Sequence, residues 1–190
     1  SQGIADGAFL MIYGGNGGAA AGVEELIESF ARLEMPEAVL LVAGEGASLS
    51  RCEEIAHRVA PGRVIFHRPW KEEETAAVLG SADLLVLPTR GRQSAVSVPS
   101  KLISYLLASR PVLLLAEEDS EAASIARRSG VGWVVSPDDE ETFAAAVTTA
   151  RDLSPAERQA MGEAGRRHAV EHFSRAVCLP PVVAILRGAA

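Results

Sequence analysis

Asp83-Leu84-Leu85-Val86-Leu87, then Pro88-Thr89-Arg90-Gly91-Arg92, then Ser97-Val98-Pro99-Ser100-Lys101, decide how this chain is read. The first piece is apolar at every position after the aspartate, as a parallel strand covered on both faces requires. The second is a polar turn. The third ends the loop and opens an apolar helix, with Pro99 suited to a first turn where its missing N–H is no loss. Ser100 and Lys101 then set a hydroxyl and a cation beside free backbone N–H groups. Such an arrangement binds anions, diphosphate among them. A capped helix with a solvated lysine is the competing reading of the same five residues.

Working outward, the same strand–loop–helix unit recurs. Short apolar runs bounded by Gly, Pro or Asp predict strands at Phe9–Tyr13, Ala38–Ala43, Val64–Phe66, Asp83–Leu87, Val112–Leu115 and Gly132–Val135. Between and after them, helical periodicity predicts Gly22–Leu33, Ser48–Val59, Lys71–Ser81, Ser100–Ser109, Ser120–Ser129, Glu140–Leu153 and Pro155–His172, with a shorter helix from Ser174. Strand alternating with helix six times is the pattern of an α/β, doubly wound, Rossmann-like domain. Its six-stranded parallel sheet would carry helices on both faces. No repeat, low-complexity tract or interdomain linker interrupts residues 1–190, so one domain is expected.

Composition narrows the function classes. With 190 residues, 48% of them hydrophobic, the chain can bury a large core, and the composition argues against disorder. A net charge of −7 argues against nucleic-acid binding, which needs a basic footprint, so any anion must be held by local donors. Cys52 and Cys178 form neither a disulfide framework nor a zinc pattern. His168 and His172 are four apart on a helix but lack an acidic partner in any known metal pattern, so no metal is expected. No apolar run is read as reaching the ~20 residues of a membrane span. Leu179–Leu186 is short and broken by Pro180 and Pro181. Ser1-Gln2-Gly3 reads as the cut end of a longer chain.

In doubly wound sheets ligands bind beyond the carboxyl ends of the strands, at the point where the strand order reverses. The strand-to-helix loops therefore carry the chemistry. The first, Gly14-Gly15-Asn16-Gly17-Gly18-Ala19-Ala20, matches GxGxxA at Gly15, Gly17 and Ala20. A dinucleotide site would also want an acidic residue at the end of the second strand. That strand ends Leu41-Val42-Ala43, with Glu45 arriving late between Gly44 and Gly46. A phosphorylated ligand on a glycine loop is thus favoured over a nicotinamide site, and the absence of GxxxxGK[ST] excludes a P-loop NTPase. Arg68 and Trp70 follow the third strand, where they either flank a nucleobase or cover the domain edge. Glu72, Glu73 and Glu74 complement a helix dipole. Glu117 lies near the carboxyl end of the fifth strand, where it is either part of a helix entry or close to a bound donor. No nucleophile–base order or catalytic carboxylate pair can be assembled.

In order and spacing these loops resemble the carboxyl-terminal, nucleotide-sugar-binding half of retaining GT-B glycosyltransferases of the family-4 (group 1) type. The resemblance runs from Ile12-Tyr13-Gly14-Gly15-Asn16-Gly17 through Leu41-Val42-Ala43-Gly44-Glu45-Gly46 and Ala82-Asp83-Leu84-Leu85-Val86-Leu87-Pro88. It continues through Ser97-Val98-Pro99-Ser100-Lys101-Leu102, Ala108-Ser109-Arg110-Pro111-Val112 and Met161-Gly162-Glu163-Ala164-Gly165-Arg166 to His172-Phe173-Ser174-Arg175. The Ser97-Val98-Pro99-Ser100-Lys101 form looks most like the bacterial surface-polysaccharide branch.

The resemblance implies a nucleotide-diphosphate sugar as donor, UDP-type favoured, with no cofactor, and a glycan or lipid-linked acceptor. It implies Gly15, Asn16 and Gly17 facing the diphosphate, Gly44 close to the nucleotide, and Arg68 and Trp70 flanking the base. Ser97, Val98, Pro99, Ser100 and Lys101 would bind the donor, with Lys101 stabilising the departing diphosphate. The family carries two glutamates eight positions apart here. This chain has Val96 and Ser104, and Ser104 keeps only a hydroxyl for the ribose. A catalytically silent nucleotide-sugar-binding module is therefore the alternative, and a nicotinamide oxidoreductase domain the third reading. The acceptor half would precede residue 1, the final helix from about 174 could pack toward it, and the fragment alone would not turn over. A cytoplasmic location is expected, the full-length protein standing at the inner membrane face if it meets lipid.

Overall fold

The computed structural model of the chain describes residues 4–18, 21–89 and 99–188. Six strands, β1 (Phe9–Gly14), β2 (Ala38–Ala43), β3 (Val64–His67), β4 (Leu84–Pro88), β5 (Val112–Leu115) and β6 (Gly132–Val135), form one sheet. Every pairing is parallel, and the order is β3-β2-β1-β4-β5-β6. The order reverses between β1 and β4, which are neighbours in the sheet although β2 and β3 lie between them in sequence. The expected α/β, Rossmann-like fold with a six-stranded parallel sheet is the one found.

The strands alternate their side chains between two apolar layers. Phe9, Met11 and Tyr13 of β1 pack into one core with α1 (Val23–Ala31), α2 (Leu49–Val59) and α6 (Glu140–Asp152). Ile12, one residue out of phase, packs into the other core with α3 (Thr75–Gly80), α4 (Ser100–Leu107), α5 (Glu121–Ser129) and α7 (Pro155–Phe173). A period of two in the strands and apolar stripes on the helices make helices on both faces the only way to bury both layers. Leu26, Ile27 and Phe30 of α1 are fully buried, each contributing about 1.5–3 kcal/mol by removal from water. Ser120 and Asp139 cap α5 and α6 by accepting from Ala123 and Thr142 N–H, and Ser154 with Glu157 forms a capping box on α7.

Two expectations change in the structure. Lys71–Ser81 is not one helix: Glu72–Glu74 form a single 3-10 turn before α3, where Glu74 reaches back to His67 at 3.1 Å. The second change is at the carboxyl end. Pro180 and Pro181, read as a break, lie inside α8 (Arg175–Gly188). The stretch Pro155–Gly188 contains an 18-residue window of mean hydropathy 1.4, of which 6% is buried. It is therefore long and apolar enough to cross a membrane by length and composition, a property shared with core helices of soluble proteins. Val177, Val182, Ile185 and Leu186 of α8 are exposed.

Candidate functional site

The carboxyl ends of β1 and β4 meet at the reversal point, and α4 brings its amino end to the turn that follows β1. An open cleft of about 430 Å³ lies beside this turn, lined by Gly15, Asn16, Gly44, Glu45, Gly46 and Trp70. Pro99 precedes α4 in an extended conformation, and among the described residues no side chain caps the helix. The helix dipole favours an anion at this amino end.

Lys101 spans the reversal point. Its Nζ donates to the Asn16 carbonyl at 3.0 Å and stands 5.4 Å from the centre of the Tyr13 ring. Among the described residues it meets no carboxylate. Burial pushes the Lys101 ammonium below its ordinary pKa. An ammonium has three donors, so one bond to Asn16 leaves two for an incoming oxyanion. The Tyr13 hydroxyl donates to the same Asn16 carbonyl at 2.8 Å. One turn further along α4, the buried Tyr105 hydroxyl accepts from Gly14 N–H at 2.7 Å and stands 3.2 Å from the Gly14 carbonyl, to which it donates.

The glycine loops fit one another at contact distance. Gly44 has φ +152°, and a Cβ there would fall 1.9 Å from the Gly15 carbonyl oxygen. Gly15 has φ +148°, and its Cβ would fall 2.1 Å from Lys101 Cε. Only glycine allows the β2 loop and the lysine stem to close on this turn. Gly15 N–H donates to Ala43 O at 2.9 Å and Gly17 N–H to Glu45 O at 2.7 Å. These two N–H groups are committed to holding the loops together. Asn16, exposed at the tip, projects into the cleft between them.

Gly15, Asn16, Gly17, Gly44, Trp70, Pro99, Ser100 and Lys101 are therefore gathered around one end of the sheet. Trp70 lines the cleft, its indole N–H donating to Thr75 Oγ1 at 2.7 Å and its ring packed against Gly14. Arg68 is exposed and turned to α2, paired with Glu53 at 2.6 Å, and does not line the cleft. Ser104 is exposed on α4, its hydroxyl 3.5 Å from the Ser100 carbonyl. Val96, Ser97 and Val98 lie outside the described residues. Sequence reasoning missed Tyr13 and Tyr105, whose signal was their being polar-tipped rings in otherwise aliphatic runs, and also Glu45 and Gly46.

Elsewhere the chemistry is sparse. Cys52 is buried, and burial pushes its thiol to about 11, so it stays neutral and inert. Among the described residues no group of three or more His, Cys, Asp or Glu is placed to hold a metal. His168 and His172 lie on α7 with their rings tilted to each other and their centres 4.4 Å apart.

Comparisons with known proteins place the chain in a family. The family model described as group 1 glycosyl transferases matches residues 9–152. WcaI of Escherichia coli (strain K12), named as a glycosyl transferase of colanic acid biosynthesis, is 27% identical over 149 residues, covering 77% of this chain and 36% of WcaI. The crystal structure of Anabaena HepE in complex with UDP-glucose superposes with a TM-score of 0.81 at 13% identity, over 96% of this chain and 49% of HepE. The carboxyl-terminal domain of a group 1 glycosyl transferase, LpcC of Francisella tularensis, superposes with a TM-score of 0.68 at 14% identity, over 87% of this chain and 85% of that one. The chain thus spans about a third to a half of the length of its full-length relatives.

Proposed function

The chain belongs to the group 1 glycosyltransferase family, and from that premise we propose that it is the donor-binding half of a glycosyltransferase using a nucleotide-diphosphate sugar. One observation carries the proposal: Lys101 and the amino end of α4 face the Gly15–Asn16 turn across the β1/β4 reversal point. This is where parallel sheets of this order hold nucleotides. The HepE complex with UDP-glucose, on the same fold, favours UDP as the nucleotide. The family resemblance would add Ser97 and Val98 to the same donor site.

The mechanism that follows is leaving-group stabilisation. As the sugar departs, negative charge grows on the diphosphate. Lys101 and the α4 N–H groups, already oriented and partly shielded from water, are strongest where that charge develops. Trp70 closes the base side of the cleft, and Ser104 offers a hydroxyl to the ribose. The acceptor, a glycan or a lipid-linked saccharide, would be held by a second half that the chain does not contain. The reaction would proceed with retention at the sugar.

A second reading is a binding module without catalysis. Val96 and Ser104 occupy the sequence positions at which the family resemblance implies carboxylates for sugar and ribose, and the exposed Ser104 has no acidic neighbour on α4 to replace one. Thermal denaturation with UDP, UDP-glucose, GDP and NAD tests the first proposal, because a ligand that binds only the folded state raises the melting temperature. A rise with UDP-type ligands supports it. A rise with NAD alone rejects both readings.

A further inference from the structure

The two tyrosines of the chain, Tyr13 and Tyr105, converge on one turn. Tyr105 Oη accepts from Gly14 N–H and donates to Gly14 O; Tyr13 Oη donates to Asn16 O, the carbonyl that also receives Lys101. Both rings are fully buried. We propose that Tyr13 and Tyr105 are a pair of positioning residues, a hydroxyl clamp that fixes the Gly14–Asn16 turn to α4 and so sets where the Lys101 ammonium stands. The proposal rests on the donor-binding reading for its consequence, and on geometry alone for the clamp.

Gly14 is the last residue of β1, and its N–H and C=O point toward α4. Buried backbone groups without partners are costly, and the Tyr105 hydroxyl serves both of these. Tyr105 lies one helical turn beyond Lys101 on the same helix, so fixing Tyr105 to Gly14 fixes the axial position of Lys101 beside Gly15. There the lysine stem runs where a Gly15 Cβ would be. At the other end, the Asn16 carbonyl has two lone pairs and two donors, Tyr13 Oη and Lys101 Nζ. The tyrosine holds the carbonyl pointing inward, and the lysine rests on it. Burial raises the pKa of both phenols, so they remain neutral donors throughout the range in which Lys101 titrates.

A clamp differs from mere core packing in what its loss would move. Replacing either tyrosine by phenylalanine keeps the ring and removes one oxygen. The chain has two lysines, Lys71 and Lys101, so protein labelled with 13C at lysine Cε gives two resonances, Lys71 being the exposed control. In the ligand-free 190-residue chain, Tyr105→Phe and Tyr13→Phe should each move the Lys101 titration upward, toward an ordinary lysine. In calorimetry each should weaken UDP binding about tenfold. Combined with Lys101→Ala, neither should weaken it further than Lys101→Ala alone, because the clamp acts through that side chain. Folded variants with an unchanged Lys101 titration and unchanged affinity would overturn the clamp, as would losses that add to that of Lys101→Ala. If Tyr105→Phe fails to fold, Tyr13→Phe decides by the same two readouts. A shifted Lys101 titration in a protein that binds no UDP would uphold the clamp and reject the nucleotide reading.

Discussion

Lys101 ties the site to pH. Burial lowers its pKa below the ordinary 10.5, so the ammonium is lost earlier than on a solvated lysine. A diphosphate needs the charged form. UDP affinity should therefore fall as pH rises through the Lys101 pKa, the decline beginning in a pH window below the one an ordinary solvated lysine would give. Tyr13 and Tyr105 stay protonated over that window and add nothing to the slope. Calorimetry across the window checks this, and Lys101→Ala should flatten the profile. Gly44 is the second residue with a sharp consequence. A methyl group at φ +152° would meet the Gly15 carbonyl, a backbone atom that cannot rotate away. Gly44→Ala should cost about 2–4 kcal/mol in urea denaturation, the sum of backbone strain and overpacking.

At the scale of elements, α4 carries the site and can be edited. Ser104→Glu places a carboxylate on its exposed face, at the position where the family resemblance implies a ribose contact. If the donor lies along α4, UDP affinity should rise about tenfold or more, since a charged acceptor is worth about 1.5–3 kcal/mol per hydrogen bond. No gain in calorimetry would move the ribose off this face. At the far end of the fold, Ser154→Ala removes the capping box of α7 and should lower stability by about 1 kcal/mol, read from the shift in melting temperature. The elements themselves were legible in the sequence for a simple reason. Runs such as Leu84–Leu87 and Val112–Leu115 are apolar at every position, and Gly or Pro bounds them. The clamp was not legible, because Tyr105 and Gly14 lie 91 residues apart and only the sheet order brings them together. The Pro180-Pro181 pair misled because a proline is a helix breaker in isolation, yet α8 runs through both.

For the whole molecule, the sheet reverses at β1/β4 and one cleft opens there, while α8 leaves its apolar side chains exposed. The donor-half proposal implies that this chain binds but does not transfer. UDP release from UDP-glucose, followed with a coupled assay, should stay at the uncatalysed rate for the 190-residue chain. Turnover by the chain alone would show that the acceptor side is already present. Donor binding, as proposed, depends on one contact, the Lys101 ammonium beside the Gly15–Asn16 turn. Titration of UDP into the wild-type chain and into Lys101→Ala by calorimetry tests it most directly. Saturable binding that weakens about tenfold or more in the variant is the predicted result. Equal affinity in the two proteins would contradict it.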